Sequence, residues 1–119
     1  MQHMNSSELP TQEGPGFRLQ ILGSPANGAS ETLVLRGFVE PGGSFPAHSH
    51  DREEVLSILA GAGNFTIGDA SGRVVAGDVF VIPPGVLHAF AATETIDAIG
   101  ALPAGTRTFA EDGTEMLGR

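Results

Sequence analysis

Clusters of glycine, proline and small polar residues cut this chain into short stretches of β-branched and large apolar side chains. The separators are SPANGAS at 24–30, EPGGS at 40–44, GAG at 61–63, DASG at 69–72 and PPG at 83–85. Glycine supplies the positive φ of tight turns, and proline pre-sets turn geometry while resisting a helix interior. The stretches between them are Phe17–Leu22, Glu31–Val39, Glu53–Ala60, Asn64–Gly68, Arg73–Ala76, Asp78–Ile82, Leu87–Ala92 and Thr95–Leu102. None keeps a helical period over a long window, whereas evenly spaced short strands with turn signals predict an all-β sandwich or barrel. A chain of 119 residues suits one domain. Residues 1–16 are polar and read as a flexible N-terminal tail, 17–105 as the barrel, and 106–119 as a C-terminal arm, extended or partner-binding.

Composition narrows the chemistry. The formal net charge is −8, which repels nucleic acid and anionic lipid, so neither is expected as a partner. No apolar run is long enough to cross a bilayer, and the polar N-terminal stretch lacks the basic start and apolar run of a leader, so a cytoplasmic setting is expected. There is no Cys, Tyr or Lys, which excludes a thiolate nucleophile, a phenolic acid and a Schiff base. With His, Asp, Glu, Arg, Ser and Thr left, a metal ion is the simplest source of catalytic power.

The pattern His48-Ser49-His50 places two imidazoles at i and i+2, which share one face if the segment is a strand. Glu54 follows at the same parity, and His88 lies just beyond the turn Pro83-Pro84-Gly85. A closed sheet can bring that later strand across from the first. Three imidazoles and a carboxylate suit a divalent transition metal such as Fe, Mn, Ni, Co, Cu or Zn better than Mg or Ca. Glu53 competes with Glu54, and parity with the two histidines favours Glu54. His3, in the polar N-terminal stretch, is given no role.

The stretch 42–61 resembles the first cupin motif, G-x5-H-x-H-x3-E-x6-G, at Gly42, His48, His50, Glu54 and Gly61. The stretch 77–88 resembles the second, G-x5-P-x-G-x2-H, at Gly77, Pro83, Gly85 and His88. That motif usually ends in an Asn where this chain has Ala92; the Asn is not a metal ligand in the family, so the departure spares the metal set. The resemblance implies a conical, jelly-roll-like cupin barrel with one metal ion on His48, His50, Glu54 and His88, and frequent homodimers.

Residues on the ligand strands are candidate substrate contacts. Leu56 and Ile58 share the parity of Glu54, and Phe90 that of His88. Arg36 and Phe38 share one face of their strand, while Leu33, Leu35 and Val39 share the other. If the first face points inward, Arg36 could hold a substrate carboxylate or enolate; otherwise it is solvated or pairs with an acidic neighbour. Phe38 and Phe90 read as core first and substrate wall second. Glu54 could double as a catalytic proton shuttle. The expected function is a metal-dependent oxygenase of the dioxygenase kind acting on a small enolic or phenolic molecule. The alternatives are an isomerase, polyketide-type cyclase or lyase that uses the metal as a Lewis acid, and a non-enzymatic binding module.

Overall fold

The computed structural model describes residues 1–116, and its regular structure is almost entirely strand. In chain order the strands are β1 (Thr11–Gly14), β2 (Phe17–Gly23), β3 (Thr32–Val39), β4 (Ser44–His50), β5 (Glu54–Ile67), β6 (Ala70–Val75), β7 (Val79–Ile82), β8 (His88–Pro103) and β9 (Thr108–Ala110). Two single 3₁₀ turns, Ser6–Glu8 and Pro25–Asn27, are the only helical elements among the described residues. Every strand pairing is antiparallel.

The long strands β5 and β8 form the spine and pair along most of their length, from Val55↔Ala101 to Ile67↔His88. On its other edge β8 changes partner: its first residues pair with β4, and residues 96–103 pair with β3. β5 does the same, with β7 opposite its start and β6 opposite its end. The sheet therefore curls into two facing halves, β1-β2-β3-β8-β5-β7 and β9-β4-β8-β5-β6. Alternation decides what lines the interior. Leu33, Leu35 and Val39 of β3 are buried, as are Phe90, Ala92, Ile96, Ala98 and Leu102 of β8.

Two breaks expected from the sequence are bends instead. GAG at 61–63 lies within β5, and the residues between Ala92 and Thr95 lie within β8. The register between the two strands slips at Ile58/Ala60, Ala60/Ala62 and Ala62/Gly63. Such bulges add twist and let one strand pass from one half-sheet to the other. Gly61 has φ +93°, and a Cβ there would collide with the Thr95 carbonyl, so only glycine permits the bend. Asp78 has the turn role its position suggests, since its Oδ2 accepts from the Val75 amide at 2.9 Å.

Three strands lie outside those read from the sequence. β1 falls in the segment read as a flexible tail and pairs with β2 from Thr11↔Gln20 to Gly14↔Phe17. β9 falls in the segment read as an arm and pairs with β4 at His48↔Ala110, Ser49↔Phe109 and His50↔Thr108. β4 carries Pro46 at a register slip between Phe45 and His48, where the missing proline N–H breaks no ladder bond. Leu117, Gly118 and Arg119 of the arm lie outside the described residues.

Candidate metal centre

Three elements converge on one point. β4 supplies His48 and His50, β5 supplies Glu54 as its first residue, and β8 supplies His88 as its first. All four are buried, between 2% and 8% exposed. His48 stands opposite His88 in the β4–β8 ladder, so strand pairing brings those two rings together. Glu54 arrives differently from the parity expectation. Residues 51–53 leave the strand, and Glu54 enters from the adjoining β5 by way of that turn. Glu53 is exposed, whereas Glu54 is buried beside His50 and His88.

One ring nitrogen of each histidine is engaged by the protein. His48 Nδ1–H donates to the Pro46 carbonyl at 2.8 Å, and His88 Nδ1–H donates to the Val86 carbonyl at 2.9 Å. A carbonyl can only accept, so the neutral rings carry their proton on Nδ1 and leave Nε2 as a lone-pair donor. His50 Nδ1 lies 2.9 Å from the Thr108 hydroxyl. The Nε2 atoms of His50 and His88 are buried without a hydrogen-bond partner. Glu54 Oε1 sits 3.6 Å from the first and 3.3 Å from the second. Buried polar atoms are rarely left unpartnered, and imidazole nitrogens free of protein partners beside a carboxylate suit a cation-binding site. The ligand atoms of His48, His50 and His88 all lie within 4.8 Å of one another, so these three could hold one metal ion.

The electrostatics agree. Burial lowers the His48 pKa to about 4, helped by the neighbouring His88, so this ring is neutral near pH 7. Burial raises the Glu54 pKa, but the adjacent His50 and His88 outweigh it and bring it to about 2. A neutral imidazole and an ionised carboxylate are the states that bind metal.

A cavity of about 70 Å3 opens beside His48, Glu54 and His88. Its walls include Leu56, Ile58 and Phe90, where the sequence placed them, together with Phe45, which was not anticipated. Arg36 and Phe38 are not in it, because Leu35, Gly37 and Val39 take the inward face of β3. Arg36 instead grips Asp97 with two hydrogen bonds, 3.0 Å from Nε and 2.7 Å from an Nη, on the outer face. Phe38 lies on that same face with the Arg18 and Arg36 guanidinium carbons 4.5 Å and 5.0 Å from its ring centre. The reading of both as substrate contacts is corrected; the alternative, Arg36 paired with an acidic neighbour, is what the structure shows. The signal was present in the apolar run of Leu33, Leu35 and Val39, which marks the core face.

Sequence reasoning also missed two residues around the site. Thr108 reaches His50 across 58 residues of chain. Gly100 faces Glu54, and a Cβ at that position would lie 2.5 Å from Oε2. A glycine inside a strand signals the close approach of another group, and the stretch Asp97-Ala98-Ile99-Gly100 held that signal.

The chain belongs to the cupin family, since residues 36–99 match the cupin domain. Within that family, a 56-residue segment is 41% identical to the acireductone dioxygenase of Heterostelium pallidum, covering 43% of this chain and 38% of that protein. The chain spans well under half the length of the curated relatives it matches. Among solved structures, the polyketide cyclase RemF from Streptomyces resistomycificus superposes with a TM-score of 0.74 at 23% identity, covering 89% of this chain and 81% of that one. The salicylate 1,2-dioxygenase of Pseudoaminobacter salicylatoxidans does so with a TM-score of 0.74 at 19% identity, covering 88% and 31%. At these identities the two superpositions establish the shared fold.

Proposed function

We propose that the chain is a metal-dependent oxygenase of the dioxygenase kind that acts on a small enolic or phenolic molecule. The observation that carries this reading is the convergence of three histidines whose Nδ1 atoms are engaged, which leaves the Nε2 atoms of His50 and His88 without partners beside Glu54. His48, His50, His88 and Glu54 would hold the ion. When bound, it supplies Lewis acidity and electron transfer with dioxygen. The similarity to an acireductone dioxygenase supports the oxidative choice.

The protein's own part is positioning and proton handling. Leu56, Ile58 and Phe90 exclude water from the cavity and pack the substrate body. Glu54, ionised near neutral pH, can relay the proton of an enolic or phenolic hydroxyl out of the site and return to its ionised state. A non-oxidative isomerase, cyclase or lyase is the second reading. It is supported by the fold shared with the polyketide cyclase RemF.

Elemental mass spectrometry on protein made without a metal-affinity step tests the site. About one transition-metal ion per chain is expected, and none after His50→Ala. Oxygen uptake with enolic and phenolic substrates then separates the readings. Turnover that persists without dioxygen would replace the oxygenase with the Lewis-acid enzyme, and ligand binding without turnover would leave a binding module.

A further inference from the structure

We propose that the cavity selects a ligand whose oxygens sit at one end of a body that carries no charge. This rests on the metal-binding reading of the preceding section and adds the class of molecule the site accepts. Apart from His48, Glu54 and His88, every residue lining the cavity is glycine or apolar. Among the described residues, no hydroxyl, amide or cationic side chain lines it. The described arginines lie elsewhere: Arg36 is held by Asp97, Arg107 by Glu115, Arg18 packs over Phe38, and Arg52 and Arg73 are exposed.

Charge balance leads to the same class. A divalent ion with one carboxylate, Glu54, retains one net positive charge. A single enolate or phenolate oxygen neutralises it. A further carboxylate on the ligand would be left without a cation among the walls Leu35, Phe45, Leu56 and Ile58, with Glu54 as a like charge nearby. An unpaired charge in apolar surroundings is strongly disfavoured. Selection therefore comes from what the walls lack, and Arg36, the side chain best suited to grip a carboxylate, is spent on the outer face.

Two probes that share one oxygen pair test this. Catechol has an uncharged ring; 3,4-dihydroxybenzoate adds a carboxylate at the far side. Both are titrated calorimetrically into the full chain loaded with zinc, which does not oxidise either probe, after the zinc content has been measured. Catechol is expected to bind one per zinc, and 3,4-dihydroxybenzoate at least tenfold more weakly. Equal or tighter binding of the carboxylated probe, or no binding of catechol to zinc-loaded protein, overturns the proposal and leaves the metal site standing. Failure to retain zinc or any other transition metal overturns the metal reading, and this proposal with it.

Discussion

Replacing Thr108 with Val tests whether β9 belongs to the metal centre. The substitution keeps a β-branched side chain of similar shape and removes only the hydroxyl that lies 2.9 Å from His50 Nδ1. Both residues are buried, His50 at 3% and Thr108 at 5% exposed, so water cannot readily take the hydroxyl's place. Leaving that nitrogen without a partner costs about 1–3 kcal/mol of stability in the metal-free protein. The effect on metal binding has a separate origin, because the hydroxyl orients the ring and sets its basicity. Loss of an outer-shell partner of this kind weakens metal binding by roughly 10–100-fold, or about 1.4–2.8 kcal/mol. Urea unfolding of the metal-free variant reads the first quantity, and competition with a chelator of known affinity reads the second. Thr108→Ser, which restores the hydroxyl, should recover most of the metal affinity. Metal affinity of Thr108→Val within twofold of the parent, or a Thr108→Ser variant as impaired as Thr108→Val, would refute the assignment.

Gly100→Ala should push the Glu54 carboxylate from its place and weaken metal binding; the shorter carboxylate of Glu54→Asp in the same chain should restore part of the loss, and a double variant worse than either single would contradict the steric account. Acid should destabilise the metal-free protein. The His48 pKa is about 4 when folded against an ordinary 6.5, so the unfolded chain binds the extra proton first; stability present above pH 6.5 falls as pH drops towards 4 by about 3 kcal/mol. Glu54 adds a loss in the same direction as pH falls from 4.5 towards 2, and urea midpoints that stay level from pH 7 to pH 4 would count against the buried neutral His48. The outward valines Val55, Val79 and Val81, 40–61% exposed, form an apolar strip on β5 and β7; association through it predicts the mass of two chains in solution, lowered to one by Val79→Lys, and a monomeric parent would refute this.

The candidate ligands were legible because each sits in a short local pattern, although strand pairing is what brings His88 to the others. His48 and His50 share one strand, a short turn delivers Glu54, and His88 follows a Pro-Pro-Gly turn that starts the next long strand. The all-β class was legible from turn chemistry for the same reason. What escaped depends on long-range pairing. Three residues of β9 carry too little pattern to stand out from a polar segment, and the value of Thr108 appears only when it is set beside His50. The glycines at 61 and 63 look like a turn in the sequence, yet they serve as bends within one strand whose partner, β8, lies some thirty residues on. The orientation of Arg36 was open while either face of β3 could be inward; burial of Leu33, Leu35 and Val39 decides it.

The way β8 joins the halves orders the events of synthesis. β3 and β4 both wait for β8, at separations such as Arg36 to Ile99 and Ser44 to Ala91. Until residues 88–103 have left the ribosome, both strands present bare edges, and β5 lacks its longest partner. Closing such distant pairs is slow compared with closing hairpins. The nascent barrel is thus at greatest risk of pairing with a neighbouring chain just before β8 emerges. The candidate metal centre is completed later still, once Thr108 has followed and β9 has docked beside His50.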